Sequence, residues 1–189
     1  MSMRPCGIGT DGLGKPVDPE TLFAVYCSAK PVVALAMGML VEARELSWDD
    51  RLGDILDEEA KSGLAPGVGG ITVAQLLTHT AGLHRLSAQA MFPRSPHDRR
   101  AIARQHTPPP GWSPDSDLAY SNFLGWYWLV RIIEALTAGP ASAHINEVVL
   151  GPLGPLGLTE DLYTGFEPAE IATAAARCGV NVDLTGSRP

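Results

Sequence analysis

Cysteine is scarce in this chain. Cys6, Cys27 and Cys178 are its whole complement, odd in number and widely spaced. They make no disulfide framework and no C-x-x-C metal pattern, so each reads first as a small buried hydrophobe. Charge is scarce as well: charged residues are 19% of the chain against 45% apolar, and 14 Lys and Arg are outnumbered by 21 Asp and Glu, giving a formal net charge of −7. That balance speaks against a nucleic-acid surface. The densest basic spot, "DRR" at 98–100, is short enough to be a solvated face. No apolar run approaches the ~18 residues of a membrane span. The opening "MSMRPCGIGTDG" lacks the apolar stretch of a signal peptide. As written, the chain is expected to be cytoplasmic, or periplasmic or secreted if its N-terminus is truncated. His79 and His84 stand five apart, poor spacing for a metal on a helix, and no metal or other cofactor is expected.

Glycine and proline, by contrast, are plentiful, at 20 and 16 residues. They divide the 189 residues into helical pieces within what reads as a single domain, without internal repeats. After the Gly/Pro-rich first 21 residues, apolar positions from Val32 to Leu40 recur at helical spacing, which predicts a helix over about 26–44 with Pro31 in its first turn. A short helix is expected near 49–60. In "ITVAQLLTHTAGL" Thr72 and Gln75 form a capping box, Leu76 and Leu77 face inward, and Gly82 is expected to end the helix. A helix near 97–105 lies between proline-rich loops. Residues 123–136 are apolar almost all round, which predicts a buried helix ended by Gly139-Pro140. One further helix precedes the turns of "GPLGPLGL", and a small-residue helix is expected near 168–178. Strand candidates are weak.

Three stretches carry the chemistry. In "YCSAKP", Cys27 and Lys30 are three apart and share a helix face, whereas Ser28 is rotated about 100° from Cys27. A helix N-terminus and an ammonium both lower a thiol's pKa, so Cys27 can be a reactive thiolate; a buried cysteine beside a snorkelling lysine explains the same spacing. In "AYSNF", Tyr120 and Asn122 are two apart on an extended segment and can face one cleft. There a phenol can shuttle a proton and an amide can hold a carbonyl; an ordinary loop accounts for the pair equally. In "LLTHTAGL", His79 has no carboxylate at obvious spacing and reads as a structural histidine bonding backbone.

Taken in order, "C-x-x-K-P", "QLLTHTAGL", "PPGW…YSNFLGWYWLVRIIE" and "PLGPLGLT" resemble the penicillin-binding and class C beta-lactamase-like serine hydrolases, which include D-alanyl-D-alanine carboxypeptidases and esterases. The resemblance is strongest over residues 10–165. It implies an α+β beta-lactamase/transpeptidase-like fold, here mostly the helical subdomain with an incomplete antiparallel sheet. It implies an acyl-transferring hydrolase acting on an amide or ester through a covalent acyl-enzyme, with a small-molecule or peptide-like acyl substrate. The family's nucleophile falls on Cys27, its proton-moving lysine and tyrosine on Lys30 and Tyr120, and its substrate-orienting asparagine on Asn122. Two departures stand out. The nucleophile position holds Cys instead of Ser, and no K-T-G or H-x-G follows Asn122. The alternative expectation is a non-catalytic remnant or binding module of the same fold, in which a second chain completes the sheet.

Overall fold

The computed structural model describes residues 9–18, 20–86, 95–156 and 175–178. Helix α1 spans Lys30–Glu42, with Pro31 in its first turn where a missing N–H is harmless. The preceding Tyr26–Ala29 form a 3-10 turn, so the helix expected from residue 26 winds tightly before it relaxes. Val33, Ala36, Met37 and Leu40 are the buried stripe of α1.

The helix expected near 49–60 is two four-residue pieces, α2 (Leu52–Ile55) and α3 (Glu58–Lys61). Leu56 takes an extended conformation between them, and the Asp57 carboxylate accepts from Ala60 N–H to start α3 afresh. Gly53 and Gly69 bring two backbones together here: a Cβ on Gly53 would stand 3.0 Å from Gly69 O. Helix α4 (Val73–Leu77) has the expected capping box. Thr72 accepts from Gln75 N–H at 3.2 Å, and Gln75 returns the favour to Thr72 N–H at 3.1 Å. Leu76 is buried and Leu77 partly so.

The end of α4 differs from expectation. It stops at Leu77, before Gly82, because His79 takes a left-handed φ of 62°. The N–H groups of Thr80 and Ala81 then fold back to Gln75 O. Gly82 serves a different purpose. Its φ is +73°, and a Cβ there would meet Pro108 Cβ at 2.8 Å. Trp112 closes the same contact by donating to Thr80 O at 2.7 Å.

Helix α5 (Pro96–Gln105) is capped by Ser95. It is tied to α3 by an Arg100–Glu59 ion pair and by an Arg104 bond to Glu59 O. Helix α6 (Leu124–Thr137) is the centre of the fold, packing on α1, α2, α4 and α7 (Ala141–Ile145). Leu124, Trp128, Leu129, Ile132 and Ile133 are buried on one side of α6, while its outer face carries an Arg131–Glu134 pair; the helix is therefore not apolar all round. Ala138, in the left-handed region, ends it before Gly139-Pro140. A wide π-type turn (Asn146–Leu150) and a 3-10 turn (Gly151–Leu156) continue from α7. Pro152 lacks the N–H an α-helical ladder would need there.

Among the described residues, extended pairing is limited to the isolated bridges Thr10–Pro16, Leu22–Cys178 and Arg51–Thr72. Most of the small-residue helix expected at 168–178 lies outside the described residues. Its last turn, 175–178, sits against residues 20–22 through Arg177 and Glu20. No described helix is long and apolar enough to cross a membrane.

Candidate active site

The turn at Tyr26–Ala29 decides where the Cys27 thiol points. In a 3-10 turn, side chains three apart eclipse, which aligns Cys27 with Lys30 more directly than an α-helix would. Lys30 Nζ donates to Cys27 Sγ at 3.5 Å. Ser28 closes the turn by donating its N–H to Val25 O at 3.0 Å. Tyr26, immediately before the cysteine, has φ 45°, a left-handed conformation that costs energy for a residue with a Cβ. The Cys27 side chain is exposed.

The second segment arrives from the loop before α6. Tyr120 and Asn122 project toward the cysteine, and Cys27 Sγ lies 3.5 Å from Asn122 Oδ1. Between them Ser121, only 3% exposed, points the other way. Its Oγ donates to Leu83 O at 2.8 Å and accepts from Gly125 N–H at 2.9 Å. His79 holds the same loop twice. Its carbonyl accepts from Ala119 N–H, and its Nδ1 accepts from Ser121 N–H at 3.2 Å. That bond leaves the proton of the neutral ring on Nε2. The structural role expected of His79, bonding backbone, agrees with this geometry. The histidine positions backbone, and its ring packs 4.5 Å from that of Tyr120.

The structure thus brings Cys27, Lys30, Tyr120 and Asn122 together from segments far apart in sequence. The electrostatics follow. Hydrogen bonding from the Tyr120 phenol is the main influence holding the Cys27 thiol below its ordinary pKa; burial opposes it, and the Lys30 hydrogen bond and charge add to the lowering. Burial first, and the Lys30 charge second, lower the His79 pKa and keep the ring neutral. Among the described residues, no group of three or more His, Cys, Asp or Glu is placed to hold a metal ion.

Four residues take roles here that their place in the sequence did not assign them. Ser121 anchors the loop from its buried middle position. Trp126 adds a second aromatic face to Lys30, its ring centre 5.4 Å from Nζ beside that of Tyr120 at 5.2 Å. Trp112 and Gly82 lock the loop that carries His79. Only the Trp126 position had a sequence signal: it lies four residues after Asn122, one turn into a predicted helix.

The chain has clear relatives. The beta-lactamase family model matches residues 6–180, and the chain belongs to that family. It is 30% identical over 167 residues to Esterase EstB of Burkholderia gladioli, covering 80% of this chain and 41% of the esterase. Among solved structures, a penicillin-binding protein homolog from Caulobacter crescentus superimposes with a TM-score of 0.63 at 24% identity, over 87% of this chain and 41% of the homolog. EstCE1, described as a hydrolase with promiscuous acyltransferase activity, gives a TM-score of 0.59 at 27% identity, over 75% of this chain and 40% of its own. The chain therefore spans about 41% of the length of the esterase and of the penicillin-binding protein homolog.

Proposed function

We propose that this chain carries the nucleophile half of an acyl-transferring hydrolase, with Cys27 attacking an ester or amide carbonyl. The observation that carries this reading is the convergence on Cys27 Sγ of Lys30 Nζ and Asn122 Oδ1, each at 3.5 Å, with the Tyr120 ring 5.2 Å from the same ammonium. An exposed thiol with a lowered pKa next to an ammonium is a nucleophile that needs less help from a base than a serine does. Sulfur attacks the carbonyl carbon, an S–C bond forms, and the bond to the leaving alcohol or amine breaks. Lys30 and Tyr120 are the nearest groups able to pass a proton to that leaving group. Water or another acceptor then takes the acyl group from the thioester. Asn122 faces the sulfur with its carbonyl oxygen while the thiol is protonated. Once ionised, the sulfur can only accept, and the Asn122 amide group is the part that suits it and an incoming carbonyl. The esterase and acyltransferase descriptions of two relatives support the acyl chemistry. On this reading the fold is α+β, with a sheet to which residues 1–189 contribute only in part.

The test is intact mass after incubation with p-nitrophenyl acetate, beside a Cys27→Ala control. A single acetyl adduct in the parent and none in the control is expected. An adduct that persists in a folded Cys27→Ala chain would sink the assignment.

One observation favours a second reading. Phe23, Val25, Tyr26, Leu35 and Leu118 are exposed, several of them close in sequence to the nucleophile turn. A non-catalytic module that docks a second chain over this apolar surface would present it in the same way. On that reading a cooperative melt needs the partner, and Cys27→Ala leaves the docking affinity intact.

A further inference from the structure

Beside the nucleophile lies a cavity of about 320 Å³ that the catalytic roles leave unused. Pro31 and Ala34 of α1, Leu76 and Leu77 of α4, and Trp126 and Leu129 of α6 wall it, with Lys30 and His79 as its polar members. Lys30 belongs to both places: it lines the cavity, and its ammonium reaches Cys27 Sγ at 3.5 Å. The Trp126 ring likewise walls the cavity and lies under that ammonium. The space therefore starts one side chain away from the reacting sulfur and lies between three helices, open to solvent on one side.

We infer that this cavity receives the acyl chain of the substrate, which makes the substrate class an ester of an unbranched apolar carboxylic acid of about six to eight carbons; the inference rests on the acyl-transfer reading of Cys27. The walls match that ligand. They offer aliphatic and indole surface and no carboxylate, so a charged or peptide-like acyl group would lose its water without compensation. Each polar member already has one partner. Lys30 bonds Cys27, and the His79 Nδ1 bonds the backbone of Ser121. Neither depends on the chain for a partner. Ala34 sets the depth, because it is the smallest side chain in the wall and stands one helical turn beyond Lys30, on the same face of α1.

The experiment is the rate of Cys27 acylation, by intact mass, across p-nitrophenyl esters from acetyl to decanoyl. Each methylene buried should speed the reaction by up to about fourfold until the cavity is full. Ala34→Leu, which fills the cavity, should cut the octanoyl-to-acetyl rate ratio by about tenfold or more. Leu77→Ala, which enlarges it, should move the optimum to a longer chain and keeps the test open if Ala34→Leu fails to fold. A rate independent of chain length, with Cys27 acetylated normally, would overturn the acyl-pocket assignment and leave the nucleophile standing. So would an octanoyl-to-acetyl ratio untouched by both variants. No adduct on Cys27 with any ester, acetyl included, would overturn the nucleophile reading and the pocket's role with it.

Discussion

Residues 22–29 and residues 119–125 meet at one sulfur, yet they are held there by different means. The first segment has no buried side chain. Tyr26 is 75% exposed with strained backbone, and the turn is closed by backbone bonds alone. The second is riveted to the core. Ser121 is buried between Leu83 and Gly125, His79 holds the loop by two bonds, and the Gly82–Trp112 contact braces His79 from behind. The lesson is a division of labour. Tyr120 and Asn122 are themselves exposed but stand on a backbone that buried Ser121 anchors, while Cys27 rides on an exposed edge held by α1 and by the backbone pairing of Leu22 with residues 177–178.

The contrast can be broken by mutation, and the largest effect belongs to the anchored side. Ser121→Ala strands the Leu83 carbonyl and the Gly125 N–H in the core, and should cost about 3 kcal/mol in urea melts. A loss below about 1 kcal/mol would mean that the rivet is dispensable. Gly82→Ala combines a positive φ with a 2.8 Å approach to Pro108, and should cost about 2 kcal/mol by the same measurement. On the exposed side, Tyr26→Ala should change stability by no more than about 0.5 kcal/mol. A cost equal to that of Ser121→Ala would erase the difference between the two segments.

A smaller effect sharpens the role of His79. Its pKa is lowered by burial, as is that of His106. A histidine whose folded pKa is depressed contributes stability that is present above its ordinary value near 6.5, and that is lost as pH falls through the lowered folded value. Thermal melts should therefore drop between pH 7.5 and 5.5, and His106→Asn should flatten part of that drop. A melting temperature indifferent to pH in this window would count against a neutral, buried-side role for both rings.

Much of this is legible in the sequence. The Thr72–Gln75 capping box and the Pro31 start of α1 come from local chemistry, and local chemistry is what a sequence displays. The three-residue spacing of Cys27 and Lys30, and the two-residue spacing of Tyr120 and Asn122, likewise survive folding as shared directions. What was not legible depends on long-range partners. The importance of Ser121 lies in its bond to Leu83, 38 residues away. The early end of α4 lies in a left-handed histidine, where sequence favours glycine. The division of 49–60 into α2 and α3 follows from an extended Leu56 that no local signal marks.

The measurement that tests the meeting of the two segments most directly is the pH dependence of Cys27 alkylation by iodoacetamide, read by peptide mass, in the parent chain, Tyr120→Phe and Lys30→Met. The parent should reach half-maximal reactivity below the ~8.5 of a free thiol. Both variants should move that midpoint upward, because the Tyr120 phenol and the Lys30 ammonium each lower the thiol's pKa. A parent midpoint at the ordinary thiol value, or one unmoved by Tyr120→Phe, would show that the two segments do not act on one sulfur and would contradict the account.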